Sequence, residues 1–157
     1  LKKYDKLLDL MEKINEKVRQ ESYISKLGIP SLIVSLLAFQ AEVKELRLDL
    51  HMDEEIRMQS LRHPEAAEAL IRSLLDDFRK EAVSFPDDNR LQLHLSKYPG
   101  GIGLAARYEG GYDPKRVRFA ESAIRSMGID RYGWTVEARY GEGQVEWTVR
   151  LPASHDS

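Results

Sequence analysis

Histidine is the side chain best able to accept a transferred group, move a proton near neutral pH or bind a metal, and this 157-residue chain has four. His51 and His94 fall in stretches that alternate like strands, His63 stands before a helix start, and His155 belongs to the carboxy-terminal tail. None has a companion ligand or nucleophile at a useful spacing, so each reads as a structural or solvent-facing residue, and no metal site is expected. The neighbours Asp76 and Asp77, beside Arg79, Lys80 and Glu81, suggest paired-carboxylate acid–base work. Adjacent helical residues do not face one another, however, so the run reads as a solvated, self-paired helix face. Lys115, Arg116, Arg118 and Arg125 make a later helix basic, either simply exposed or turned toward an acidic partner protein. The absence of cysteine excludes thiolate nucleophiles, disulfides and Cys-ligated zinc. No residue of the chain itself is expected to be catalytic.

The scaffold that carries these residues is bounded by composition. At 42% hydrophobic residues the chain can bury one core and support an appendage. Its net charge of −2, from 24 Lys+Arg against 26 Asp+Glu, gives no broad basic field, so a nucleic-acid partner is not expected. The longest apolar stretch, Leu32 to Phe39, is interrupted by Ser35 and too short to span a bilayer. No signal-peptide pattern opens the chain, and a cytoplasmic protein without a membrane anchor is expected.

Periodicity gives the elements. A first helix is expected from Lys2 to about Ser22, broken at Gly28-Ile29-Pro30, and a second from Ser31 to about Arg47 with Leu32, Ile33, Leu36, Leu37 and Val43 on one broad apolar face. Leu48 to Met52 alternates as a short strand. His63-Pro64, with Glu65 and Glu68 behind it, opens a third helix whose core face is Leu70, Leu74, Leu75 and Phe78 and whose end is near Val83. Leu91, Leu93 and Leu95 then alternate, Pro99-Gly100-Gly101 turns the chain, and Leu104, Ala106 and Tyr108 return on the same face. Asp113-Pro114 starts a fourth helix, expected to stop at Gly128. A last hairpin about Glu142-Gly143 sets Trp134, Val136, Ala138 and Tyr140 against Leu151, Val149, Trp147 and Val145.

The first helix poses a separate problem. Tyr4, Leu7, Met11, Ile14 and Val18 repeat at the three-and-four step of a coiled-coil seam, interleaved with Lys3, Lys6, Lys13, Lys17, Asp5, Asp9, Glu12 and Glu16. Such a seam needs apolar partner helices, either upstream of Leu1 or from a second copy of the chain.

Leu1-Lys2-Lys3-Tyr4-Asp5, the later Glu21-Ser22-Tyr23-Ile24-Ser25-Lys26-Leu27 and the helix start Pro30-Ser31-Leu32 resemble the sporulation-initiation phosphotransferase family, which is related to the citrate- and dicarboxylate-sensing histidine kinases. The likeness is specific from Leu1 to Val83 and rests on element order beyond it. The resemblance implies an α+β fold with two parts. Residues 1–27 form the second helix of a dimerisation hairpin that builds a four-helix bundle in a homodimer, and residues 28–157 form a degenerate kinase-type α/β sandwich. It also implies phosphoryl transfer between response regulators through a histidine upstream of Leu1, with Mg²⁺ carried by the regulator and no cofactor of the chain's own. At the height of that histidine the resemblance places Glu16, Arg19 and Gln20, as candidates for touching a docked response regulator or as ordinary bundle surface.

The related kinases hold Mg-ATP with an Asn on the helix corresponding to the third one here, an Asp-x-Gly-x-Gly stretch and a later Gly-x-Gly-Leu. Asp77 stands where that Asn is expected, and no Asp-x-Gly-x-Gly occurs. Gly101-Ile102-Gly103-Leu104 imitates the last motif but comes too early in the order and reads as a hairpin turn. Two rivals to the phosphotransferase reading stay open. One is a cytoplasmic fragment of a citrate-type sensor kinase, and the other is a non-catalytic dimerising module that binds regulators.

Overall fold

Period-two alternation of apolar residues decides the architecture, because every inward-facing strand position must meet one layer of helices. The computed structural model describes residues 2–154, so His155 lies outside the described residues. The elements are α1 (Lys2–Ser25), α2 (Pro30–Glu42), β1 (Arg47–Met52), a short 3₁₀ turn (Met58–Ser60), α3 (Pro64–Ser84), β2 (Arg90–Tyr98), β3 (Gly101–Glu109), α4 (Pro114–Tyr132), β4 (Thr135–Gly141) and β5 (Gln144–Pro152). The strands form one mixed five-stranded sheet in the order β1-β2-β3-β5-β4. β1 and β2 pair in parallel across the α3 crossover, and the remaining pairs are antiparallel. The fold is therefore α+β, as expected.

The registers match the alternation. Leu48, Leu50 and Met52 lie beside Leu91, Leu93 and Leu95, and these lie beside Tyr108, Ala106 and Leu104. Val145, Trp147 and Val149 pair with Tyr140, Ala138 and Val136, the register expected from a turn at Glu142-Gly143. This inner face packs under α3, whose Leu70, Leu74, Leu75 and Phe78 are all buried. Phe78 stacks on Tyr108 at 4.9 Å and leans on Trp147 at 5.0 Å, contacts each adding about 0.5–1.5 kcal/mol to simple burial. The opposite sheet face carries polar residues, among them Asp49, His51, Gln92, His94, Arg107, Thr148 and Arg150, and is partly exposed.

Three helix expectations need correction. α2 stops at Glu42 rather than near Arg47: Val43 is already extended, its N–H bonded to the Phe39 carbonyl, because the chain must straighten to bury Leu46 and Leu48. Its apolar face is also narrower than expected, with Leu32, Leu36 and Phe39 buried but Leu37 exposed. α4 runs on through Gly128 to Tyr132 and ends at Gly133, whose φ of +70° is the left-handed cap position that Gly tolerates best. Gly128 serves packing instead, since a Cβ there would lie 2.1 Å from the Trp134 ring.

α1 continues to Ser25, slightly beyond the expected end, and Ile24 is its one buried residue. Tyr4, Leu7, Met11, Ile14 and Val18 all remain exposed, from Tyr4 at 63% to Met11 at 51%. Nothing among the described residues covers the seam.

Candidate functional site

α3 and α4 lie side by side above the sheet, and between them a groove of about 250 Å³ opens over Trp147, lined by Ser73, Asp77, Glu81, Arg116 and Phe119 among others. Two carboxylates one helical turn apart on α3 meet it in different ways. Glu81, 1% exposed, receives the Asp113 backbone N–H at 2.7 Å, the Arg116 Nε–H at 2.5 Å and an Arg116 Nη2–H at 3.0 Å. One side chain thus ties α3 to the start of α4, where Asp113 caps the helix by accepting from the Lys115 N–H. Asp77 is half-buried, receives only a long 3.4 Å bond from Ser73, and burial holds its carboxyl above the usual carboxylate value of 3.8.

The chain passes from β3 to α4 through Gly110, Gly111, Tyr112 and Asp113 alone. Tyr108 donates its hydroxyl to the Gly111 carbonyl at 2.8 Å, and burial, with the nearby Glu81 charge, pushes that phenol up to about 12. The phenol therefore stays a neutral donor that holds the short connection down. Asn89 completes the same end of α3 by donating to the carbonyls of Ala82 and Phe85.

The reading of Glu81 as part of a solvated face is overturned. It falls three residues after Phe78 and seven after Leu74, on the core stripe, and that spacing is the signal that marks it as inward. Asp76 is exposed, whereas Asp77 is half-buried in the groove rather than on a solvated face. The basic helix is largely engaged: Arg116 with Glu81, Arg125 with Glu121 at 2.6 Å, and Arg118 over the Tyr140 ring at 4.0 Å.

Glu16, Arg19 and Gln20 form one local network on α1. Glu16 pairs with Arg19 at 3.0 Å and accepts from Gln20 Nε2 at 2.8 Å. The Gln20 amide also reaches the sheet, donating to the Met52 carbonyl and accepting the Met52 N–H, both at 2.9 Å. This two-point clasp occupies the free edge of β1 as another strand would, and anchors the carboxy-terminal part of α1.

The histidine expectation is also corrected. His51 and His94, which have no companion along the sequence, are opposite each other across the parallel β1–β2 pair, and Asp53 lies within hydrogen-bonding reach of both. The signal was the repeated Leu-x-Leu-His of residues 48–51 and 91–94, which an in-register parallel pairing superposes. His63 instead precedes α3 without capping it and packs on Tyr132.

No family model matches this sequence, and no curated protein sequence matches it. Solved structures do. The catalytic domain of the histidine kinase ThkA, in a nucleotide-free form, aligns with a TM-score of 0.60 at 11% identity, covering 79% of this chain and 91% of that one. The Acinetobacter baumannii histidine kinase AdeS aligns with a TM-score of 0.56 at 12% identity over 97% of this chain and 84% of that one. ThkA in complex with the response regulator protein TrrA aligns with a TM-score of 0.53 at 12% identity, over 92% of this chain and 50% of that one. At such identities the likeness is one of fold, and the fold is that of histidine kinase catalytic domains.

Proposed function

We propose that this chain is the scaffold of a phosphorelay phosphotransferase of the kind that initiates sporulation. In this reading α1 pairs with an upstream helix and with a second copy to form a four-helix bundle. A histidine on the upstream helix receives a phosphoryl group from the aspartate of one response regulator and hands it to another. The observation that carries this reading is the uncovered coiled-coil seam of α1 joined to a kinase-type sandwich. The ThkA–TrrA complex adds that a protein of this fold engages a response regulator. Phosphoryl transfer between imidazole and carboxylate needs little covalent chemistry from a scaffold beyond alignment and charge neutralisation, so a chain without a catalytic residue can support it. Mg²⁺ then comes with the regulator, and the protein works in the cytoplasm; Glu16 and Arg19 contact the regulator from the exposed face of α1, while Gln20, expected to join them, is held on the Met52 backbone and serves to position Glu16.

The sandwich in this reading holds no nucleotide. The charge of the groove between α3 and α4 supports that: Asp77 and Glu81 line it alongside Lys80 and Arg116, and the two carboxylates would oppose a triphosphate. Of the two cations lining the groove, Arg116 is already held by Glu81.

The test is to mix phosphorylated response regulator with the full-length protein and look for acid-labile phosphohistidine, then for transfer to a second regulator. Appearance of both supports the phosphotransferase. Regulator binding without phosphohistidine favours the non-catalytic module. A rise in melting temperature with Mg-ATP would instead favour the sensor-kinase fragment.

A further inference from the structure

We propose that His51, Asp53 and His94 form a binding site for one first-row transition-metal ion, with Zn²⁺ the expected occupant. The site is independent of the phosphotransfer reading. Parallel in-register pairing sets His51 beside His94 on the polar face of the sheet, with ring centroids 5.0 Å apart and planes tilted by 59°. Asp53, the first residue after β1, turns its carboxylate between them: Oδ1 lies 3.2 Å from His51 Nε2 and Oδ2 lies 2.9 Å from His94 Nε2. One ligand atom from each residue lies within 4.8 Å of the other two.

That spacing is close to what a metal requires. Donors about 2.0–2.2 Å from a tetrahedral ion are roughly 3.3–3.6 Å from one another, so ligand atoms already within 4.8 Å need only draw closer together to complete the set. Two imidazoles and one carboxylate suit Zn²⁺, Ni²⁺ or Cu²⁺, whereas Mg²⁺ and Ca²⁺ call for all-oxygen shells. Three protein ligands with a solvent-facing fourth position is the arrangement of open zinc sites, and here His51 and Asp53 are exposed. Asp53 is a carboxylate at neutral pH, as a ligand must be. Glu54 and Glu55 follow directly and add negative potential, partly offset by Lys97, Lys26 and Arg57.

The bound ion would fasten the edge strand β1 to β2 one residue on either side of Met52, the residue clasped by Gln20. Metal occupancy therefore stiffens the anchorage of α1 on the sheet.

The test uses the full chain titrated with Co²⁺, followed by visible absorption and by displacement with Zn²⁺. Four-coordinate Co²⁺ bands that Zn²⁺ abolishes are expected. Imidazole nitrogen shifts on Zn²⁺ addition should move at His51 and His94 and stay fixed at His63 and His155. H51A and H94A should each weaken binding by at least about tenfold, the lower bound for losing even a supporting residue of a metal site, and H63A should leave it unchanged. The proposal is overturned by an H51A/D53N/H94A variant that binds Co²⁺ like the parent, by shifts confined to His63 or His155, or by no binding at millimolar Zn²⁺. The imidazole shifts are read on the unmodified chain, so a misfolded variant does not rescue the idea.

Discussion

At the scale of single residues, Asp77 and Glu81 show how the same chemical group is stabilised or left in difficulty one turn apart. Glu81 is buried with three donors, and removing one partner leaves a desolvated charge short of bonds. Arg116→Ala is therefore expected to lower unfolding free energy by about 2 kcal/mol in urea titrations; Arg116 is itself 43% exposed at the side chain, which keeps the loss below that of a fully buried pair. Asp77 has the opposite problem. Burial, against Lys80 and Ser73, raises its folded-state pKa above the unfolded value, so it favours the fold only while protonated. That contribution is fully present in acid below about the ordinary value of 3.8 and is lost as pH climbs through the raised folded-state value. Asp77→Asn is expected to raise the melting temperature at neutral pH and to bring no gain in acid. A constant gain across the range would mean that something other than ionisation is responsible.

At the scale of elements, the α4–β4 corner depends on Gly128. The helix passes close enough to Trp134 that even one methyl group collides with its six-membered ring. Gly128→Ala, normally a helix-stabilising exchange, should here cost about 1–3 kcal/mol, seen as a lower urea midpoint with unchanged slope. This corner also shows what the sequence conceals. Gly128 in a helical pattern reads as a stop, because local rules cannot see the indole that arrives from six residues later. The strands were far more legible: the alternation of Leu91, Leu93 and Leu95 and of Val145, Trp147 and Val149 has one register that buries every apolar side chain, and the sheet adopts it. The candidate site was legible only in part. That Asp77 lies on α3 followed from the helical pattern, but its half-burial did not, and the inward role of Glu81 needed its partner Arg116, 35 positions away. The meeting of His51 with His94 needed the parallel β1–β2 pairing, which no local period encodes.

For the whole molecule, the question is what α1 is for. Its carboxy-terminal turns are fixed through Gln20 on Met52 and through buried Ile24, while the preceding turns expose Tyr4, Leu7, Met11, Ile14 and Val18 to water. A row of large apolar side chains along one helix is soluble in isolation only at a cost, since burying each would contribute about 1.5–3 kcal/mol. In the proposed bundle a second copy would supply a matching seam, with the interleaved Lys, Asp and Glu residues as the flanking charges that set register in such pairs. The chain should therefore sediment as a dimer, and its melting temperature should rise with protein concentration because association stabilises only the folded state. Leu7→Glu combined with Ile14→Glu places charges at two seam positions. It should give single chains whose melting temperature no longer depends on concentration, with the near-ultraviolet signal of the buried Trp147 and Trp134 unchanged because neither touches α1's seam. Full-length chains, upstream helix included, that sediment singly at high concentration would remove the bundle and, with it, the place where two regulators could exchange a phosphoryl group.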